Sequence, residues 1–247
     1  MYHPYKKGYS VLPALEKLDG PIFHKDVFYD EYIEAKIESS KKRNLLLCSN
    51  ISEDILDHAK SVIKENANWV NRDYDFNNIC MQLQEDVAIH RIDRSTNSNW
   101  LAATHIAFPS SWRPEEKIGK GLEEIHQPVP GMNLKNSYKL AETSCRLGPF
   151  QRFVWSPIFE YRLDFHPDNP KQKFDPKNPK IYIKVEKQIT YPLPDVDAFL
   201  FVLRQYIVEP DLIDLYRTCC TMTPEQKKYK GITDEFLDFL FLWLDQS

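Results

Sequence analysis

The chain has 247 residues, with 32 Lys and Arg against 36 Asp and Glu, which gives a formal net charge of −4. Hydrophobic residues make up 42% and charged residues 28%, values that exclude a collagen, a coiled coil and a disordered protein. The length suits one large domain or two small ones, and because no low-complexity linker divides the chain we treat residues 1–247 as a single domain.

Charge and hydropathy exclude further classes. A mildly acidic chain without a long Lys/Arg run has no electrostatic footprint for nucleic acid. No stretch reaches 18 apolar residues and the first ten lack the apolar core of a signal peptide, so we expect a cytoplasmic protein without a membrane segment. The five cysteines contain no CxxC pair, which argues against a zinc site and a disulfide framework and predicts reduced thiols.

The N-terminal part of the sequence predicts an arm followed by a helix. Residues 1–45 are rich in Tyr, Phe and Pro, as in a segment laid over a domain surface, with a short helix over 30–41. Within 46–70, apolar residues recur at helical spacing from Ile51 to about Asn66, and Ser52 with two following acids marks the helix start.

Residues 79–208 predict the core. Strand-like runs over 79–92 and 100–108 flank a Ser/Thr/Asn-rich turn, which favours a hairpin. Two short helical turns, a helix over 133–147 and a charged, Pro-rich loop over 164–180 are also expected. The remaining strands are predicted over 150–163, 181–191 and 198–208.

Residues 209–247 predict C-terminal helices over 210–218 and 233–244. The second is apolar nearly all round, so it is buried or meets a partner. The order of elements predicts an α+β fold, with a five-stranded antiparallel sheet, short helices inserted after its second strand, and flanking N- and C-terminal helices.

The common catalytic signatures are absent from the sequence, including GxxxxGK, GxGxxG, GxSxG and HExxH. Polar and aromatic clusters occur instead along the strands and short helices. They are Leu83-Gln84-Glu85-Asp86, Phe108-Pro109-Ser110-Ser111-Trp112, Ile125-His126-Gln127-Pro128-Val129-Pro130-Gly131, Gln151-Arg152-Phe153-Val154-Trp155-Ser156, Val185-Glu186-Lys187-Gln188-Ile189 and Phe201-Val202-Leu203-Arg204-Gln205-Tyr206.

In this order and spacing the clusters resemble the haem-dependent oxidative N-demethylase alpha-subunit family over about residues 20–215. The resemblance implies a PAS-like sheet that holds a b-type haem. It also implies removal of a methyl group from a small amine with O2 as oxidant. The predicted order of two strands, helices and three strands is compatible with a PAS-like core.

A haem needs an axial ligand, and the resemblance makes His126 the first candidate. It lies among the short helices between the second and third strands, two residues before Pro128 and four before Pro130. His166 is the alternative ligand, and a structural or surface role stays open for either residue. His90 and His105 match no family histidine and are interpreted as structural.

Haem propionates need cations, which Arg152 and Arg204 would supply. An internal ion pair of these arginines with Glu186 or Asp86 is the competing interpretation. Glu186 and Gln188 share one side of a strand, so with Arg204 they are the catalytic candidates, although the pair could equally face solvent.

Three aromatic residues complete the predicted site. Trp112, Trp155 and Tyr206 would wall the porphyrin or surround a cationic amine, or they belong to the ordinary core.

No flavin or nicotinamide fingerprint occurs in the sequence, so the enzyme hypothesis requires electrons from a separate flavin/iron–sulfur reductase subunit. Two other functions remain open at this stage. One is a PAS-type haem or small-ligand sensor without catalysis, and the other is a scaffolding relative without haem.

Overall fold

A computed structural model describes residues 3–245 of the chain. Its described part contains one antiparallel sheet of seven strands in the order β1-β5-β6-β7-β3-β4-β2. The strands are β1 Glu16–Lys17, β2 Leu46–Cys48, β3 Asp86–Asp93, β4 Ser98–His105, β5 Phe150–Ile158, β6 Tyr182–Leu193 and β7 Ala198–Val208.

The predicted α+β class is confirmed, but the prediction of five strands is wrong. The two additional strands are short edge strands, β1 on β5 and β2 on β4. Strands of two and three residues are too short to show a period of two, so the sequence pattern gave no sign of them. Both come from the N-terminal part of the chain, and they cover backbone groups that would otherwise be open at the sheet edges.

The strand predicted over 79–92 is also wrong in its first half. Residues Phe76–Cys80 form a short helix, α3, and only the segment from Asp86 onward is extended. The carboxylate of Asp75 accepts a hydrogen bond from the backbone N–H of Asn78 at 2.8 Å, which caps the helix. Phe76 and Ile79 are buried at helical spacing, and a short apolar run of this kind fits a helix or a strand equally well.

The helices agree with the sequence more closely. Those of the described chain are α1 Tyr29–Lys42, α2 Glu53–Asn66, α3 Phe76–Cys80, α4 Leu122–His126, α5 Ser137–Leu147, α6 Leu212–Cys220, α7 Pro224–Lys230 and α8 Asp234–Asp245. Helix α7 was not predicted. It begins at a capping box in which Thr223 and Gln226 bond each other's backbone N–H, and it ends at Gly231 with φ of 71°.

The two faces of the sheet carry different chemistry. Residues that pair directly across antiparallel strands share a face, and neighbouring residues alternate. Glu186 of β6 pairs with Gln205 of β7, whereas Lys187 pairs with Arg204. We call these two sides of the sheet the Glu186 face and the Arg204 face.

Helices cover both faces. Helix α5 packs on the Glu186 face, where Ala141 and Cys145 meet Ile92 and Phe199. On the Arg204 face, α2 and α3 cover one end of the sheet and α6 and α8 the other. Two apolar side chains of α8, Phe236 and Leu240, are fully buried there.

The C-terminal helix, which the sequence predicts to be buried or to meet a partner, is only partly buried. Phe241, Leu242 and Trp243 of α8 are exposed at 55%, 57% and 39%. Within residues 3–245 no helix combines the length and apolar character needed to cross a membrane.

Buried charges join the N-terminal segments to the sheet. The Lys36 ammonium of α1 is completely buried, lies 3.4 Å from an Asp86 carboxylate oxygen, and donates to the carbonyl oxygens of Cys80 and Glu85. The Glu85 carboxylate accepts a hydrogen bond from the backbone N–H of His24 at 3.0 Å. The strand that starts at Asp86 is therefore anchored to α1 and to the arm before it.

Replacing Lys36 by Met should destabilise the fold by about 3–5 kcal/mol, because the buried Asp86 carboxylate loses its counter-ion. Urea unfolding measures the loss. Lys41→Met, an exposed substitution in the same helix, is the control and should change stability by less than about 0.5 kcal/mol. Equal effects of the two substitutions would contradict this role of Lys36.

Burial raises the pKa of Glu85 to about 7, and Arg204 and the His24 N–H oppose the rise. Between pH 4.5 and 7 the unfolded chain has lost a proton that folded Glu85 retains, so this residue makes stability fall as pH rises. Glu85→Gln should therefore gain stability relative to wild type as pH rises through this range, measured as free energy of unfolding in urea. A difference independent of pH would refute the prediction.

Candidate functional site

His126 is presented by the single-turn helix α4. Its Nδ1 lies 2.8 Å from the carbonyl oxygen of Leu122. A carbonyl oxygen only accepts, so Nδ1 carries the hydrogen and Nε2 keeps the lone pair. Burial lowers the pKa of His126; the bond to Leu122 opposes the change, and the positive charges of Arg152 and Lys117 add to it. The imidazole is therefore neutral, in the form that ligates a metal.

Helix α4 is held in place by Asn99 of β4. The Asn99 Oδ1 atom accepts hydrogen bonds from the Leu122 backbone N–H at 2.9 Å and from His90 Nε2 at 2.8 Å. Burial lowers the pKa of His90 to about 4; the bond to Asn99 opposes this and His126 adds to it. The predicted structural role of His90 is consistent with this contact, because His90 fixes the amide that starts α4.

Glu186 and Gln188 both lie on the Glu186 face of the sheet, as the alternation of side chains along a strand predicts. The Glu186 carboxylate is nearly buried, with the residue 7% exposed, and accepts hydrogen bonds from Ser110 Oγ at 2.9 Å and from Gln188 Nε2. Ser110 reaches it because a parallel bridge joins Ser110 to Phe165 in the loop after β5. The Glu186 carboxylate is thus fixed in position and largely shielded from water.

The charge of the Glu186 carboxylate acts on three cations. Arg152 of β5 is half-buried and pairs in register with Gln188, and the Glu186 charge stabilises its protonated form against burial. The Glu186 charge acts in the same way on two lysines, Lys184 of β6 and Lys230 of α7. Among residues 3–245 no carboxylate comes within 4.0 Å of any of these three cationic groups.

The two lysines were missed by sequence reasoning. Lys184 could have been found, since it stands two residues before Glu186 on the same strand and alternation puts both on one face. Lys230 had no such signal, because it arrives from an unpredicted helix about seventy residues after β5.

Arg204 is not part of this group. Its guanidinium lies on the opposite face, with Nη2 2.7 Å from Asp26 Oδ2 and Nη1 3.8 Å from Glu85 Oε1. The predicted internal partners, Glu186 and Asp86, are both wrong: the sheet separates Arg204 from Glu186, and Asp86 is paired with Lys36. The three proposed catalytic residues therefore do not converge.

The predicted aromatic residues lie in different environments and do not form one wall. Trp155 is buried on the Arg204 face, where its ring makes edge contacts with Tyr5 and Tyr9 at centroid distances of 5.8 and 6.1 Å. Tyr206 is half-buried beside Arg204, whose guanidinium carbon is 5.4 Å from the ring centroid. Trp112 is half-buried in the loop after β4.

His166 occupies a different environment from the exposed loop expected as its alternative. It is 2% exposed, and its Nδ1 accepts a hydrogen bond from the Asp168 backbone N–H at 3.2 Å. Nε2 therefore carries the hydrogen and lies 3.2 Å from Glu115 Oε1. Both ring nitrogens of His166 therefore have hydrogen-bond partners within the protein.

Two surface clefts lie away from these residues. One of about 380 Å³ lies between the arm and the end of α2, and one of about 320 Å³ lies between α1 and α3. The part of the chain that the structure describes holds no group of three or more His, Cys, Asp and Glu side chains able to bind a free metal ion. A haem iron differs, because the protein supplies only its axial ligand.

The sequence matches the model of a protein family described as haem-dependent oxidative N-demethylase, alpha subunit-like, over residues 38–232. The match spans well over half of the chain. The protein belongs to this family. The family description indicates haem dependence and a subunit of an oxidative demethylase.

The residues of this N-demethylase-like protein fit a haem in their chemistry. His126 offers a neutral imidazole whose Nε2 lone pair is not used by the Leu122 bond. Arg152 lies close enough for its charge to lower the pKa of His126, and it would face the anionic propionates from the same side of the sheet. Arg204 is already neutralised by Asp26 on the other side.

Asn99→Ala should loosen α4, because the Leu122 N–H and the His90 Nε2–H lose their common acceptor. We expect a loss of about 1–3 kcal/mol in the free energy of unfolding, measured by urea denaturation. Asn178→Ala, in the exposed loop, is the control and should leave stability unchanged. A variant as stable as the control would contradict the anchoring role of Asn99.

Proposed function

We propose that this protein binds a b-type haem through Nε2 of His126 and removes a methyl group oxidatively from a small methylated amine. The observation that carries the proposal is the His126 imidazole, oriented by its Nδ1–H bond to Leu122 on the side of the sheet that also holds Arg152 and Glu186. Membership of the family supports the haem dependence and the reaction class of this proposal.

The strand order supports the PAS-like part of this proposal. The five central strands run β5-β6-β7-β3-β4, and α4 and α5 are inserted between the second and third of them in the chain. The inserted helices include the one that carries His126. His126 and Arg152 would hold the cofactor on this side of the sheet.

The reaction balances when one amine methyl group, O2, two electrons and two protons give the demethylated amine, formaldehyde and water. When bound, the haem supplies the redox chemistry of oxygen activation. The protein's own contribution is to bind and orient the amine and to exclude water from it.

Glu186 is suited to bind the amine. Its carboxylate is 7% exposed and is fixed by Ser110 and Gln188, so a substrate ammonium would form a charge-assisted hydrogen bond with an already oriented acceptor. The same carboxylate oxygen can take the ammonium proton, which leaves the neutral amine that oxidation requires. Gln188 keeps the carboxylate oriented during that transfer.

A separate flavin/iron–sulfur reductase subunit would supply the two electrons. The family description names an alpha subunit, which supports a partner. The exposed apolar end of α8, formed by Phe241, Leu242 and Trp243, is the surface we propose for that contact.

The test compares wild type, His126→Ala and His166→Ala purified after expression with haem supply. We expect a Soret absorption band in the wild type and in His166→Ala, and its loss in His126→Ala, because Nε2 of His126 keeps a lone pair whereas both ring nitrogens of His166 are hydrogen-bonded. Circular dichroism controls for folding of both variants.

Formaldehyde release from a methylated amine, with a chemical electron donor, then tests catalysis. A Soret band that survives in His126→Ala would refute the ligand assignment. A haem-loaded protein that releases no formaldehyde from any methylated amine would refute the enzyme and favour the sensor.

A further inference from the structure

Lys184 is a buried cation without a bonded counter-ion. The residue is 4% exposed, and its Nζ has no hydrogen-bond partner among the described residues. The Nζ atom lies over the ring of Phe165, 4.6 Å from its centroid. Burial lowers the pKa of Lys184 to about 7, while Glu186 opposes the change. A buried ammonium is costly unless an anion meets it.

Lys230 places a second ammonium close to the same row of the sheet. Its Nζ donates to the Trp155 carbonyl oxygen at 2.7 Å and to Ser156 Oγ at 3.1 Å. Ser156 is the direct antiparallel partner of Lys184. An ammonium has three hydrogens, so these two bonds leave one for a ligand.

The charges in this region do not balance. Glu186 is the carboxylate that acts on Arg152, Lys184 and Lys230 together. Two other acids also stabilise the charge of Lys184, but Asp164 is bonded to Arg43 at 2.9 Å and Asp86 is paired with Lys36. One carboxylate for three basic groups leaves an excess of positive charge, and an anion bound beside Lys184 would keep that lysine protonated.

The cations occupy distinct positions along the sheet. Along β6, Lys184 and Gln188 stand on opposite sides of Glu186, about 6–7 Å from it in each direction. Arg152 pairs with Gln188, and its charge lowers the pKa of both His126 and Lys230. Ser156, to which Lys230 donates, pairs with Lys184 at the other end of the row. Glu186 therefore stands between the strand position of Arg152 and the Lys184–Ser156 pair that Lys230 contacts.

We propose that Lys184 and Lys230 form a carboxylate-binding subsite beside Glu186, so that the preferred substrate is an N-methyl amino acid and not a simple alkylamine. The substrate ammonium binds Glu186 and its carboxylate binds the two lysines. A simple alkylammonium ion carries only positive charge, so its binding would increase the excess of positive charge around Glu186. The subsite rests on the proposed function for its role in the reaction, but its binding is tested separately.

The test measures binding to the haem-loaded protein by calorimetry, with N-methylglycine, N-methylglycine methyl ester and dimethylamine as probes. The ester keeps the N-methyl ammonium and lacks the carboxylate. We expect N-methylglycine to bind at least about tenfold more tightly than the ester or dimethylamine, because each charge-assisted hydrogen bond contributes about this factor or more.

Lys184→Met and Lys230→Met should each weaken N-methylglycine binding about 10- to 100-fold and leave ester binding unchanged. Lys187→Met is the matched control, since Lys187 is the next residue on the same strand but lies on the Arg204 face. Methionine keeps an apolar stem of similar length, and Lys230 provides a second site if Lys184→Met does not fold.

Equal affinity of the ester and N-methylglycine, or full N-methylglycine binding in both lysine variants, would overturn the subsite. Loss of haem in the lysine variants, with probe selectivity unchanged, would also overturn it and assign the cations to a propionate carboxylate. Selective N-methylglycine binding without formaldehyde release would refute the proposed demethylation and leave the subsite standing.

Discussion

The arrangement of the whole site depends on the side-chain alternation of one central strand. Strand β6 is bonded to β5 on one side and β7 on the other along most of its length, so its register fixes theirs. Lys184, Glu186 and Gln188 go to one face, and Val185 and Lys187 go to the other. A slip of one residue in β6 would turn Lys184 and Glu186 toward the apolar core on the Arg204 face. Because both faces of the sheet are buried, such a slip is strongly unfavourable.

This constraint explains what the sequence could and could not predict. The bounds of β7 agree with the predicted 198–208, because a clear apolar run is closed by the Pro- and Asp-containing turn before it. The shared face of Glu186 and Gln188 follows from their spacing alone. The partner of Arg204 cannot be predicted from spacing, because Asp26 stands 178 residues earlier and reaches Arg204 through tertiary packing.

The same contrast holds for the histidines. His126 and His166 look alike in sequence, each next to proline or one residue from it. They differ in where their ring hydrogens are directed, at Leu122 O in one case and at Glu115 in the other. Hydrogen-bond direction depends on neighbours in space, so motif spacing does not reveal this difference between the two histidines.

The N-terminal arm is tied to the sheet by polar bonds as well as by packing. Asp26 and Gln84 bond each other through backbone and side-chain atoms, and Asp26 also neutralises Arg204. Releasing residues 22–28 would leave a buried guanidinium in β7 without its nearest counter-ion. The arm therefore belongs to the cooperative folding unit of the sheet, and its amide protons should exchange with solvent on the timescale of global opening, as those of β7 do.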